Sequence, residues 1–307
     1  MPTPTVPQIL DGAAAAVGVV TEAFTDFPLL LVDGLADVGP QGCPLGGTAS
    51  RLCNEAGVPR VITATFDNCA VAAPWGSIIL DGIVTLSAPN GTCPNVLLPP
   101  IDEDVNLRLQ YLDSEGAMQR AVAAVLNADV LDLRGLDSPC FYTGITATVS
   151  GLIRTQVAGG AGVDVGLDDT EIVADISSYN ADCLALESKQ VFDGAVTFTD
   201  FPSTRSYPID LRMQELSRVA SPFGVDVEIS GDVAGPCFGG GATLSTLAAL
   251  QLPLSNVCPV GGAVLVETSF APPHTLFYGE GGLEVDEDND GDADESYLSC
   301  AMAPDCS

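Results

Sequence analysis

The sequence predicts an all-β protein, built mainly of antiparallel sheets in sandwich-like modules, with disulfide-tied loops and little helix. Three observations carry that reading: apolar and polar residues alternate in segment after segment, turn residues stand between the segments, and ten cysteines occur without metal-binding spacing. Alternation is clearest in Val105-Asn106-Leu107-Arg108-Leu109-Gln110-Tyr111. It returns in Val163-Asp164-Val165-Gly166-Leu167, in Ile209-Asp210-Leu211-Arg212-Met213 and in Val225-Asp226-Val227-Glu228-Ile229. A period of two gives a strand one buried and one wet face, which is the antiparallel pattern.

Taken in chain order, residues 7–24 are Ala-rich and predict a helix with Asp11 as its cap. Residues 114–127 predict a second, capped by Ser114, with Met118, Val122, Val125 and Leu126 on one face. Asp81-Gly82, Asn90-Gly91 and Asp193-Gly194 have the chemistry of tight hairpins with positive φ. Residues 159–162 and 239–241 are glycine-rich and fit hairpin turns better than phosphate cradles. Phe66-Asp67-Asn68-Cys69 precedes the first Asp-Gly pair as Tyr179-Asn180-Ala181-Asp182-Cys183 precedes the last, and the two pairs are offset by 112 residues. Cys43-Pro44-Leu45-Gly46-Gly47 returns as Cys258-Pro259-Val260-Gly261-Gly262 at a separation of 215, about twice that offset, whereas Phe24-Thr25-Asp26-Phe27-Pro28 returns as Phe198-Thr199-Asp200-Phe201-Pro202 at 174, which does not fit the same period. Recurrence without a strict period points to related modules and not to a solenoid. The division expected is an N-terminal segment 1–23, β modules 24–135 and 136–283, and an acidic tail 284–307.

Charge narrows the partners. Forty-one acids face ten bases for a net charge of −31. Nucleic acid is excluded, because binding phosphates requires basic residues to displace counterions. Docking on an anionic membrane surface is excluded on the same ground. No apolar run approaches the roughly 20 residues of a transmembrane helix. With one histidine, His274, and no C-x-x-C pair, zinc ribbons and fingers are absent. The cysteines are therefore expected in disulfides, in an oxidising compartment, extracellular or at the cell surface. Nearest-neighbour pairing gives Cys43–Cys53, Cys69–Cys93, Cys140–Cys183, Cys237–Cys258 and Cys300–Cys306. No basic residue precedes the apolar residues 13–20, so a mature chain with its leader removed is expected.

The most direct pointer to chemistry is Asp286-Glu287-Asp288-Asn289-Asp290-Gly291-Asp292-Ala293-Asp294-Glu295. Hard oxygen ligands at alternate positions, with glycine at the sixth for the sharp turn, suit one calcium ion. This stretch resembles the calcium loops of thrombospondin type 3 repeats and dockerins. The resemblance assigns Asp286, Asp288 and Asp290 to the first, third and fifth positions, the carbonyl of Asp292 to the seventh, and Asp294 to the ninth. At the twelfth, where those loops carry a bidentate glutamate, this chain has Tyr297; Glu295, two residues earlier, is the nearest substitute. The metal set expected is thus Asp286, Asp288, Asp290, Asp292, Asp294 and Glu295. Elsewhere the patterns aromatic-x-x-Cys, D-G-x-V-T and C-P-x-G-G resemble those of secreted or lipid-anchored bacterial β-proteins without assigned activity.

Asp102-Glu103-Asp104 is a carboxylate cluster that could serve acid–base work, and His274 lacks a motif partner. No G-x-S-x-G, H-E-x-x-H or Walker loop is present. The chain is therefore expected to be a structural or adhesive protein without catalytic activity, self-associating or meeting a surface partner, and holding calcium. A carbohydrate-binding module is the alternative, with Trp75, Tyr142 and Tyr207 as its aromatic platform; a carboxylate hydrolase ranks below it.

Overall fold

Each of the four alternating segments is a strand, and nearly all strands belong to one sheet. The computed structural model describes residues 5–21, 41–54, 59–92, 96–135, 140, 142–181, 183–201, 206–256, 258–287 and 290–297. Among the described residues, helix α1 (Val6–Val19) precedes β1 (Gln41–Gly42), β2 (Gly46–Cys53), β3 (Arg60–Ala73), β4 (Gly76–Ala88), β5 (Asn90–Thr92) and β6 (Val96–Leu98). There follow β7 (Ile101–Asp113), β8 (Met118–Arg134), β9 (Gly144–Val157), β10 (Gly162–Tyr179), β11 (Ala185–Phe201) and β12 (Ser206–Ser221). The last are β13 (Gly224–Ala234), β14 (Ala242–Pro253), β15 (Gly261–Thr268), β16 (His274–Gly279), β17 (Gly282–Asp286) and β18 (Glu295–Tyr297). Sixteen strands pair antiparallel in chain order, and β5 and β6 form a side hairpin between β4 and β7. The 135/136 boundary falls in the β8–β9 connection; those strands pair from Arg120 with Val157 to Arg134 with Gly144, so the ladder is continuous there.

The inner rows and α1 make a single core. Helix α1 is apolar all round and buried from Ile9 to Val20 apart from half-buried Asp11, as a helix enclosed by other elements must be. Gly12 lies against Cys237, Phe238 and Tyr207, and Gly18 against Phe198, so the helix packs against β11, β12 and the turn before β14. Its start is fixed by Thr5, not Asp11: the Gln8 side-chain oxygen accepts the Thr5 N–H at 3.0 Å, and Pro7 lies in the first turn, a reciprocal cap. The outer rows carry Asp102, Asp104, Asn106 and Arg108, side chains that belong in water. No helix among the described residues is long and apolar enough to cross a membrane.

Among the several bulges that curl the described sheet, three share one backbone feature. Each has a residue at positive φ: Asn68 in β3, Asp169 in β10 and Met213 in β12. Glycines stand across from them. Gly82 (φ 131°) faces Phe66, and an added Cβ would lie 2.1 Å from the Asn106 carbonyl oxygen; Gly151 (φ 137°) faces Leu167, with the Val125 oxygen at 2.2 Å. Bulges and glycine kinks together bend a strand and increase its twist.

These kinks correct the turn assignments. Asp81-Gly82 and Asp193-Gly194 lie inside β4 and β11, where glycine supplies positive φ for curvature and not for a hairpin; Asn90-Gly91 lies within β5. The glycines of 159–160 do form the β9–β10 turn. Residues 114–127 are not a helix: after a turn they run into β8, with Arg120, Val122, Ala124, Leu126, Ala128 and Val130 inward. Disulfides join Cys43 to Cys69 and Cys140 to Cys183. The second is the expected pair, whereas Cys43–Cys53 and Cys69–Cys93 are excluded because Gly46 pairs with Ala70 and brings the β1–β2 turn onto β3. Cys53, Cys237 and Cys258 are disulfide-bonded as well; Cys93, Cys300 and Cys306 lie outside the described residues.

Candidate metal centre

The acidic loop connects the last two strands of the sheet, and its first residue is its anchor. Asp286 ends β17 opposite Thr275 of β16, and both are buried. Burying a carboxylate is costly unless hydrogen bonds replace water. Here the Asp290 N–H donates to one Asp286 oxygen at 3.2 Å and the Gly291 N–H to the other at 2.8 Å. Gly291 has φ 97°, the left-handed geometry that glycine tolerates. The sequence thus bends the chain back over Asp286 at the position where the pattern places glycine.

Further along, Asp290 Oδ1 accepts the Asp292 N–H at 2.9 Å. Asp294 closes the loop: its carboxylate accepts the Glu287 N–H at 2.8 Å, and its own N–H donates to the Val285 carbonyl at 2.8 Å. Glu295 begins β18 as the partner of Val285. The Asp11 carboxyl of α1 is held above the ordinary carboxylate range, first by burial and then by the negative charge of Glu295. Asp290, Asp292, Asp294 and Glu295 are exposed. Asp288 lies outside the described residues. Among the described residues no three acidic, histidine or cysteine side chains converge as a ready-made ligand set; the carboxylates of Asp286, Asp290 and Asp294 are turned to backbone N–H groups instead.

Sequence reasoning missed the part played by His274. It is buried on β16, and its Nδ1 lies 2.6 Å from the Glu287 carbonyl oxygen. A carbonyl can only accept, so Nδ1 is the donor of this hydrogen bond. His274 therefore ties the loop to the sheet, thirteen residues back along the chain.

The other candidates are dispersed. Alternation along β7 turns Asp102 and Asp104 outward and Glu103 inward, so the three carboxylates do not share one cleft. Trp75, Tyr142 and Tyr207 are all buried, which removes them as a sugar platform. Trp75 packs instead on Tyr111, with ring centroids 6.0 Å apart. No known protein family, no curated protein and no solved structure matches the chain.

Proposed function

We propose that this is an extracellular or cell-surface structural protein whose C-terminal loop binds one calcium ion, and that calcium controls its association with further copies. The observation that carries the reading is the anchored loop: buried Asp286 fixes the turn at Gly291, and the loop joins β17 to β18. Four or more carboxylates held in so short a span repel one another, and a divalent cation relieves that repulsion while supplying the centre around which oxygen ligands arrange. A cation there would also hold β18, the terminal strand in the order of the sheet. Edge strands are the natural sites of pairing between chains.

Supporting the compartment, the described cysteines are oxidised, as suits a chain outside the reducing cytosol. The strongly acidic surface requires cations to screen it before copies can approach. Light scattering coupled to size exclusion tests the association, at low and high protein concentration, with millimolar calcium or a chelator. Larger species that grow with calcium are expected. A strict monomer at high concentration in calcium contradicts the self-association.

A further inference from the structure

Two hairpins of the sheet share a Pro-aromatic-Gly turn pattern, yet its aromatic ring is buried in one and exposed in the other. Ala73-Pro74-Trp75-Gly76 joins β3 to β4, and Ser221-Pro222-Phe223-Gly224 joins β12 to β13. In both, the outer two residues pair (Ala73 with Gly76, Ser221 with Gly224) and leave a two-residue Pro-aromatic apex. Both glycines sit at φ 150° against the next strand: a Cβ on Gly76 would meet the Leu112 oxygen at 2.5 Å, and one on Gly224 the Leu252 oxygen at 2.1 Å.

The difference lies in which face the strands turn inward. Two residues after the glycine, the first hairpin has Ile78 paired with Tyr111, both buried; the second has Asp226 paired with Gln251, both on the outer face. Each aromatic follows that face. Trp75 is 5% exposed and packs at a tilt against Tyr111, whereas Phe223 is 85% exposed. In the second hairpin a glutamine, Gln251, stands where the first has Tyr111. Beside Phe223 is an open cavity of about 260 Å³ lined by Phe223, Asp226, Gln251, Ser221 and Pro253.

We propose that this groove is a subsite for one neutral pyranose ring, bounded by the exposed Phe223 ring and by Gln251, which holds the register position of Tyr111 in the other hairpin. Phe223 supplies a flat apolar platform for the C–H face of the sugar. The Asp226 carboxylate accepts hydrogen bonds from ring hydroxyls, and the Gln251 amide can both donate and accept. The cavity is smaller than the roughly 300–1,000 Å³ of pockets that enclose drug-sized ligands, which limits it to a single residue of a glycan. Asp226 and the net charge of −31 turn away uronic, sulfated and phosphorylated sugars.

The test uses the full oxidised chain against an immobilised panel: β-glucan, mannan, galactan and chito-oligosaccharides as neutral members, polygalacturonate and heparin as anionic ones. Binding to at least one neutral glycan and to neither anionic one is expected. Titration calorimetry with that glycan's oligosaccharide should weaken at least about tenfold on Phe223→Ala, about 1.4 kcal/mol. Asp226→Asn should weaken it as well, Phe223→Tyr should retain it, and the unfolding midpoint should stay unchanged in all three. Absence of binding to every neutral member overturns the proposal. So does a Phe223→Ala chain that binds as the wild type does, or a preference for the anionic glycans. None of these outcomes depends on calcium, so the test stands apart from that of the C-terminal loop.

Discussion

Replacing Gly151 by alanine tests whether glycine kinks are what bend the sheet. Gly151 sits at φ 137°, and its added Cβ would lie 2.2 Å from the Val125 oxygen and 2.9 Å from Leu126 Cα. Both neighbours are backbone atoms of β8, so neither can swing away as a side-chain tip would. Holding an L-residue in such a region costs about 1–3 kcal/mol, and forcing atoms into a packed place adds about 1–3 kcal/mol. Against a total stability of roughly 5–15 kcal/mol, the loss is large enough to measure and small enough to leave a folded chain. Gly159→Ala is the matched control, because nothing lies within 4 Å of its added Cβ; its effect should stay within about 0.5 kcal/mol. Urea unfolding with disulfides intact should show a lower midpoint for Gly151→Ala at unchanged slope. Equal midpoints for the two variants would refute the kink account.

Removing the Cys140–Cys183 bridge by a double serine substitution opens a loop with a sequence separation of 43, which predicts a loss of about 4 kcal/mol on the chain-entropy model; an unchanged urea midpoint would contradict it. Alkaline stability should fall because burial pushes the Tyr179 and Tyr207 phenols up to about 12. The native state keeps these protons after the unfolded chain has lost them, so stability is whole below about pH 10 and declines as pH rises towards 12. Unfolding followed at pH 9 and pH 11 should show that decline, reduced in Tyr207→Phe; a flat profile would count against the buried phenols. His274→Phe removes the tie to the Glu287 carbonyl and should raise proteolytic cleavage within the acidic loop while leaving protection of the remaining sheet unchanged, as read by mass spectrometry of the fragments.

Much of the sheet was legible because its inner and outer rows differ in polarity. Val105, Leu107, Leu109 and Tyr111 are buried, as their alternation requires. Residues 118–130 alternate equally well, but the alanines among them lower the contrast and raise helix propensity, so the local pattern favours helix and cross-strand pairing overrides it. At Asp81-Gly82 and Asp193-Gly194 the sequence correctly signals positive φ. It carries no local sign of whether that φ closes a hairpin or bends a strand, since the answer lies in the neighbouring strands. Cysteine pairing failed for the same reason: Cys43 meets Cys69 through strand register, which is not a matter of distance along the chain. In the candidate site, the loop and its glycine were readable from spacing, whereas the His274 tie was not, because β16 meets the loop only after folding. Phe223 gave no signal in isolation; its meaning comes from comparison with Trp75.

Calcium-dependent thermal unfolding of the oxidised chain addresses the central claim most directly, measured with millimolar calcium, with a chelator, and again for Asp288→Ala. A ligand that binds only the native state stabilises it in proportion to the logarithm of its concentration over its dissociation constant. Calcium should therefore raise the midpoint by several degrees, magnesium should do so less, and Asp288→Ala should abolish the rise. Coincident curves in calcium and chelator would contradict the account and leave the loop an acidic connection held by its own backbone hydrogen bonds.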